Sequence, residues 1–265
     1  VSHASVFDNL EKVQILRRIL LALAALQVEQ VVYMPDYEGL VEAAFRGIHV
    51  AFKKVILPLT MWYDERDTIE AGRLLYDKGV DCIVTLGGDG TNRAVAKSCG
   101  AIPIIALSTG TNNVFPSMME GTVAGMAAGL VAKKMVDIEK LSYVAKRLEI
   151  FVDGQMQEIA LIDVVACTDL FVGSRALWDP KRIREIVLAR AEPASIGISC
   201  VGGLLHPLGP MDDQGLYLRL GEGNISVLAP VGPGLISRVA VKEHRLISLG
   251  EEVVLEPAAF TIAVD

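Results

Sequence analysis

The chain has 265 residues, 52% of them hydrophobic and 22% charged, which excludes a disordered protein and allows one large domain or two medium ones. A formal net charge of −7 argues against bulk nucleic-acid binding and against a basic surface for anionic membranes, though a local phosphate pocket is still allowed. Four scattered cysteines (Cys82, Cys99, Cys167, Cys200) form no C-x-x-C pair and no zinc-spaced cluster with histidines, so they read as reduced, buried thiols of a cytoplasmic protein with no bound metal.

Residues 9–27 carry helical periodicity through Leu10, Val13, Leu16, Ile19, Leu20 and Leu23. The most apolar stretch of that helix, Ile19–Leu26, is too short to span a bilayer. A short strand follows at 31–34, a helix closes near Phe45–Gly47, and a second strand occupies 55–59. Glu65–Gly79 reads as a helix with Asp67 or Thr68 near its start and Gly79 as its stop. Buried strands at 81–86 and 102–107 flank a helix at Thr91–Ser98, and a small-residue helix covers Thr122–Lys133. Strands written as continuous apolar runs, alternating with helices, predict a doubly wound, Rossmann-like parallel α/β domain over residues 1–139.

From about residue 140 the texture changes to short strands broken by Gly, Pro and Asp. This predicts a mostly antiparallel, sandwich-like domain over 140–265. Strands are expected at 195–201, 215–221, 224–231, 238–244 and 251–256, with a hairpin turn at Asp153-Gly154. One helix is expected at Asp179–Arg190, with Pro180 in its first turn and Lys181, Arg182 and Arg184 on a solvated face.

Two loops carry the chemistry. Both follow buried strands at the carboxyl edge, where open α/β sheets bind ligands. Residues 87–91 read Gly-Gly-Asp-Gly-Thr. Glycine amides at a helix N-terminus suit a phosphate. A carboxylate there then needs a purpose, either holding Mg²⁺ or taking a proton from an attacking hydroxyl. The bland alternative is a tight turn with an Asp N-cap. The second loop offers Ser108, Thr109, Gly110, Thr111, Asn112 and Asn113 to a phosphate, ribose or base; its alternative is a polar loop of turn formers. The P-loop, dinucleotide and hydrolase-elbow fingerprints are absent. Trp62-Tyr63, at another strand's carboxyl end, suits either base stacking or surface packing. His206 reads as a turn histidine, and His3, His49 and His244 show no partner spacing.

The glycine-aspartate loop and the Thr-Gly-Thr loop some twenty residues later resemble the NAD kinase, diacylglycerol kinase and sphingosine kinase superfamily. The stretch LGGDGTNRAVAK followed by IPIIALSTGTNNVFP looks most like its acetoin catabolism protein X group. The likeness is strong over about 81–131 and continues more weakly to about 207. It implies an α/β half and a β-sandwich half, with Asp89 as general base. It also implies that Gly87, Gly88, Gly90, Thr91 and Asn92 bind the nucleotide together with Thr109, Gly110, Thr111, Asn112 and Asn113. Mg²⁺ would travel with ATP, and NAD or a related small molecule would be the acceptor, with Asp163 in the acidic acceptor-binding position. A homodimer or tetramer built through the β half would follow.

The chain departs from NAD kinases on the acceptor side. Ile162 stands where they carry an amide, and 194–201 lacks their polar segment before Gly202, Gly203, His206 and Pro207. The family's first strand and its final Asp-Gly-Glu have no counterpart here, so both ends are expected to be incomplete. Three functions follow: a phosphotransferase acting on a small molecule; a lipid kinase, which the acidic charge and missing basic amphipathic helix oppose; and a non-catalytic nucleotide-binding regulator, which Ile162 favours and Asp89 opposes.

Overall fold

The computed structural model describes residues 7–168, 180–255 and 261–265; the start of the chain, His3 and Asp179 lie outside them. The described residues form two compact units, one running to Gly110 and including Phe115–Ser142, the other comprising Thr111–Val114 and Tyr143–Asp265.

In the first unit, α1 (Asn9–Ala25) is capped by Asp8, whose carboxylate accepts the Glu11 N–H at 2.8 Å. It buries Ile15, Ile19, Leu20 and Leu23. β1 (Gln30–Tyr33) and β2 (Lys53–Ile56) pair in parallel, joined through α2 (Leu40–Phe45). The Arg17 guanidinium of α1 reaches across to the carbonyls of Ala43, Ala44 and Arg46, satisfying acceptors that the end of α2 leaves open. α3 (Glu65–Lys78) ends at Gly79 in the left-handed conformation, as its sequence predicts. Its cap is Asp64, not Asp67 or Thr68, because Asp67 is buried and accepts N–H groups of the preceding loop.

β3 (Ile83–Gly87) and β4 (Ile104–Ser108) form a second parallel pair separated by α4 (Asp89–Ala96). α5 (Gly121–Ala132) then packs on α1 through Gly121, Gly125 and Gly129, spaced one turn apart. A Cβ at Gly125 would stand 2.6 Å from the Ile19 carbonyl oxygen and 2.8 Å from Ala22 Cβ, so the two backbones lie in contact. A short α6 (Ile138–Leu141), not foreseen from the sequence, follows.

The second unit is antiparallel. β5 (Leu148–Val152) and β6 (Gln155–Ala160) form a hairpin turning at Asp153 and Gly154, both with positive φ. β7 (Asp163–Cys167), β8 (Ile183–Leu188), β9 (Gln214–Gly232), β10 (Leu235–Ser248) and β11 (Thr261–Val264) make one sheet in the order β10-β9-β8-β7-β11. One face packs Ile186, Leu188 and Leu218 on Cys200 and Val201 of α7 (Ile198–Gly203). The other packs Val187, Tyr217 and Ile247 on Leu148 and Ile150 of β5.

Four expectations are corrected here. The helix expected over 179–190 is a single 3-10 turn at Pro180–Arg182 followed by β8. β8 is central and covered on both faces, so its apolar residues lose the alternation that marks a strand; Lys181 and Arg182 are exposed on the 3-10 turn and Arg184 on β8, and they do not share an α-helical face. The strand expected at 195–201 gives way to α7, which fits against the sheet because Gly202 leaves room for Leu188. The two strands expected at 215–221 and 224–231 are one continuous strand, in which Gly221 takes φ 142 without ending the ladder. Residues 251–255 are not strand.

Candidate functional site

β3 delivers the chain to its carboxyl edge through residues that alternate between buried and half-buried. Gly87 closes the strand, and Gly88 alone, with extended backbone, separates it from α4. The helix therefore starts at Asp89, two residues earlier than the sequence predicts. Asp89, Gly90 and Thr91 form its first turn, whose N–H groups helix geometry directs outward.

The glycines of this turn are there for different reasons. A Cβ on Gly87 would stand 2.4 Å from Thr91 Oγ1 and 2.6 Å from Thr91 Cβ, so Gly87 makes room for the threonine that folds back over it. A Cβ on Gly90 would meet nothing within 4 Å, and its φ is not positive. Neither packing nor backbone conformation within the protein calls for a glycine at 90, whereas a ligand drawn close to the helix end would.

Asn92 has no exposed surface. Its Oδ1 accepts the Thr85 hydroxyl at 2.7 Å, and its Nδ2 donates to the Gly88 carbonyl at 2.8 Å. It thus fastens the first helical turn to β3. Sequence reasoning placed Asn92 among the nucleotide contacts; its amide is instead spent inside the protein. Thr85, missed from the sequence, is its partner, and the signal was a hydroxyl at an inward position of an apolar strand. The side chains of Arg93 and Lys97 pair with Glu65.

The second loop leaves β4 beside the first, because Ser108 is the register partner of Gly87. Ser108 donates its hydroxyl to the Gly110 carbonyl at 2.7 Å and shapes the start of the loop. Thr109 is 7% exposed, and its carbonyl accepts the Phe7 N–H. The chain then returns so that Ser117 lies along β4. The Phe115 N–H donates to Asp89 Oδ1 at 2.7 Å. Residues 26 positions apart are joined there, and the carboxylate of the first loop is oriented by the backbone of the second. Nothing in the sequence announces that bond.

Thr111, Asn112 and Asn113 belong to the second unit; the Thr111 hydroxyl donates to Asn112 Oδ1 at 3.4 Å. Asp163, also of that unit, opens β7 and is half-buried. Its N–H and those of Leu161 and Ile162 converge on Asp265 Oδ1 at 3.2, 2.9 and 2.9 Å. Ile162 is 1% exposed and part of the core.

Burial, with Asp81 beside it, pushes the Cys82 thiol up to about 12, and burial also raises Cys99 and Cys200. These thiols stay protonated near neutrality and offer no nucleophile. Among the described residues no helix is long and apolar enough to cross a membrane, and no group of three or more His, Cys, Asp and Glu stands ready to cage a metal ion.

The ATP-NAD kinase N-terminal domain family matches residues 7–135, and the acetoin catabolism protein X C-terminal domain family matches residues 146–265. Acetoin catabolism protein X of Cupriavidus necator is 39% identical over 259 residues, an alignment spanning 91% of this chain and 71% of that protein. No solved structure matches. On that identity and coverage, with a family model matching each half, the chain belongs to the acetoin catabolism protein X family.

Proposed function

We propose that the chain is an ATP-dependent phosphotransferase of NAD-kinase type, acting on a hydroxyl of NAD or a related small molecule. The observation that carries this reading is Gly90, a glycine the protein does not need for itself, at a helix N-terminus beside an oriented carboxylate. The first turn of α4 and Gly88 would take the phosphates of ATP, and Mg²⁺ would arrive on those phosphates, which needs no protein cage. Asp89 takes the acceptor hydroxyl's proton as that oxygen bonds the γ-phosphorus, and the bond from γ-phosphorus to the bridging oxygen breaks to release ADP. Asp163 would meet the acceptor. A homo-oligomer in the cytoplasm, working beside acetoin breakdown as the relative's name says of that protein, completes the proposal.

A second reading, a nucleotide-binding regulator without transfer, gains one observation. The Asp89–Phe115 bond gives the carboxylate a structural task, so its presence no longer requires catalysis. Ile162, buried in place of an amide, points the same way.

Asp89→Asn separates the two. The amide oxygen can still accept the Phe115 N–H, so the loops stay tied, but the base is lost. With Mg-ATP and NAD, wild type should form NADP. The variant should bind ATP as tightly and lose at least about a hundredfold in rate, the lower end of general-base contributions. Equal rates would remove Asp89 from catalysis. ATP binding without NADP formation by wild type would favour the regulator or another acceptor.

A further inference from the structure

Three large aromatic side chains stand in water at the carboxyl edge of β1 and β2. The parallel register sets Tyr33 beside Ile56, so the loops that follow both strands emerge together. The first turns at Asp36, whose carboxylate accepts the Leu40 N–H at 2.9 Å and leaves Tyr37 outside, 79% exposed. The second carries Trp62, 48% exposed, and Tyr63, 67% exposed. The Tyr37 and Tyr63 rings meet edge to face, with centroids 5.5 Å apart and planes at 85°. The Arg66 guanidinium lies 5.4 Å from the centre of the Trp62 ring and is paired with Asp64.

This arrangement is held, not left loose. Tyr63 has φ 64, a conformation that a bulky residue adopts only under constraint. The constraint is Asp67, a carboxylate 3% exposed, which accepts the N–H groups of Trp62 at 2.8 Å and Tyr63 at 2.7 Å. A buried carboxyl group and a strained backbone thus both hold Trp62 and Tyr63 where their rings face solvent. Single exposed aromatics are ordinary; a rigid group of them at the ligand edge of a parallel pair is not explained by the unit's own packing.

We infer that Tyr37, Trp62 and Tyr63 form a stacking platform for the heteroaromatic base of a nucleotide. Faces of rigid rings with a guanidinium alongside take a planar, electron-poor ring whatever its hydrogen-bonding edge. The inference rests on the nucleotide-binding reading above and adds where a base is gripped. It leaves open whether that base belongs to ATP or to NAD.

The test titrates the full chain with Mg-ATP, NAD and tripolyphosphate separately, comparing wild type with Tyr37→Ala/Tyr63→Ala. Both tyrosines are exposed, so the variant should fold. Loss of base stacking should weaken ATP, NAD or both by roughly tenfold or more and leave tripolyphosphate unchanged. Weakening confined to one ligand assigns the platform to that ligand's base. In a Trp178→Phe background, ATP or NAD should quench Trp62 fluorescence and tripolyphosphate should not. Wild-type affinity of the variant for both nucleotides overturns the platform and spares nucleotide binding. Equal weakening of tripolyphosphate also overturns it, since the change then acts through the fold. Failure of wild type to bind either nucleotide overturns the parent reading and the platform with it.

Discussion

Glycines line two parts of the α/β unit, the contact between α1 and α5 and the turn between β3 and α4, and they answer different demands. Along α5 each glycine faces an atom already in place: the Ile15 carbonyl at Gly121, the Ile19 carbonyl at Gly125 and the Leu26 side chain at Gly129. In the turn, Gly87 is fixed by Thr91 in the same way, but Gly90 faces open space. A glycine-rich motif is therefore a mixture. Some of its glycines are there because the protein fills the space, and others because it does not. The second kind, where φ is not positive either, is where the proposed function places a ligand.

Substitution should separate the two kinds. The largest effect is expected at the helix contact. Gly125→Ala sets a Cβ against a backbone oxygen that can yield only by moving a whole helix, so it should cost about 2–3 kcal/mol or more, read by urea unfolding. A loss below about 1 kcal/mol would mean that α1 and α5 separate easily, and the glycine spacing would lose its explanation. Next comes Asn92→Leu, which leaves the buried Thr85 hydroxyl without its partner and removes the side-chain bond to the Gly88 carbonyl, which keeps the backbone N–H of residue 92. It should cost about 1–3 kcal/mol, and adding Thr85→Val should recover part of that loss. Strictly additive costs would dissolve the fastening role. The smallest effect on stability belongs to Gly90→Ala, expected within about 1 kcal/mol of wild type and on the stabilising side, since alanine suits a helical turn better. Its ATP affinity, measured by calorimetry, should nonetheless fall about tenfold. An unchanged affinity would break the distinction between the two kinds of glycine.

The turn was legible in the sequence because it is local. Apolar β-formers, two glycines, an aspartate and a helix start within a few residues leave little else to build. The reasons behind individual residues were not legible. That Thr91 claims the space over Gly87, that Asn92 reaches back to Thr85, and that Phe115 holds Asp89 depend on which side chains meet in space. In the second unit two of the misreadings share one cause. β8 and α7 sit in the core, one a strand covered on both faces and the other a short helix enclosed by the sheet. Complete burial erases the contrast between wet and dry faces from which periodicity is read. The exposed hairpin at Asp153-Gly154 kept its turn signal and was placed correctly.

The convergence of three N–H groups on Asp265 has a consequence for how the protein is made. Leu161 and Asp265 are 104 residues apart, and β11 pairs with the outer side of β7 from the same distant segment. A ribosome adding 5–20 residues per second needs about 5–20 s to cover that distance. Through that interval β7 is present and β8 can pair with one of its sides, while the other side shows bare amides and carbonyls to the cell. The antiparallel sheet therefore carries an open edge while β8 to β10 are being made, and β11, arriving about a hundred residues later, closes it.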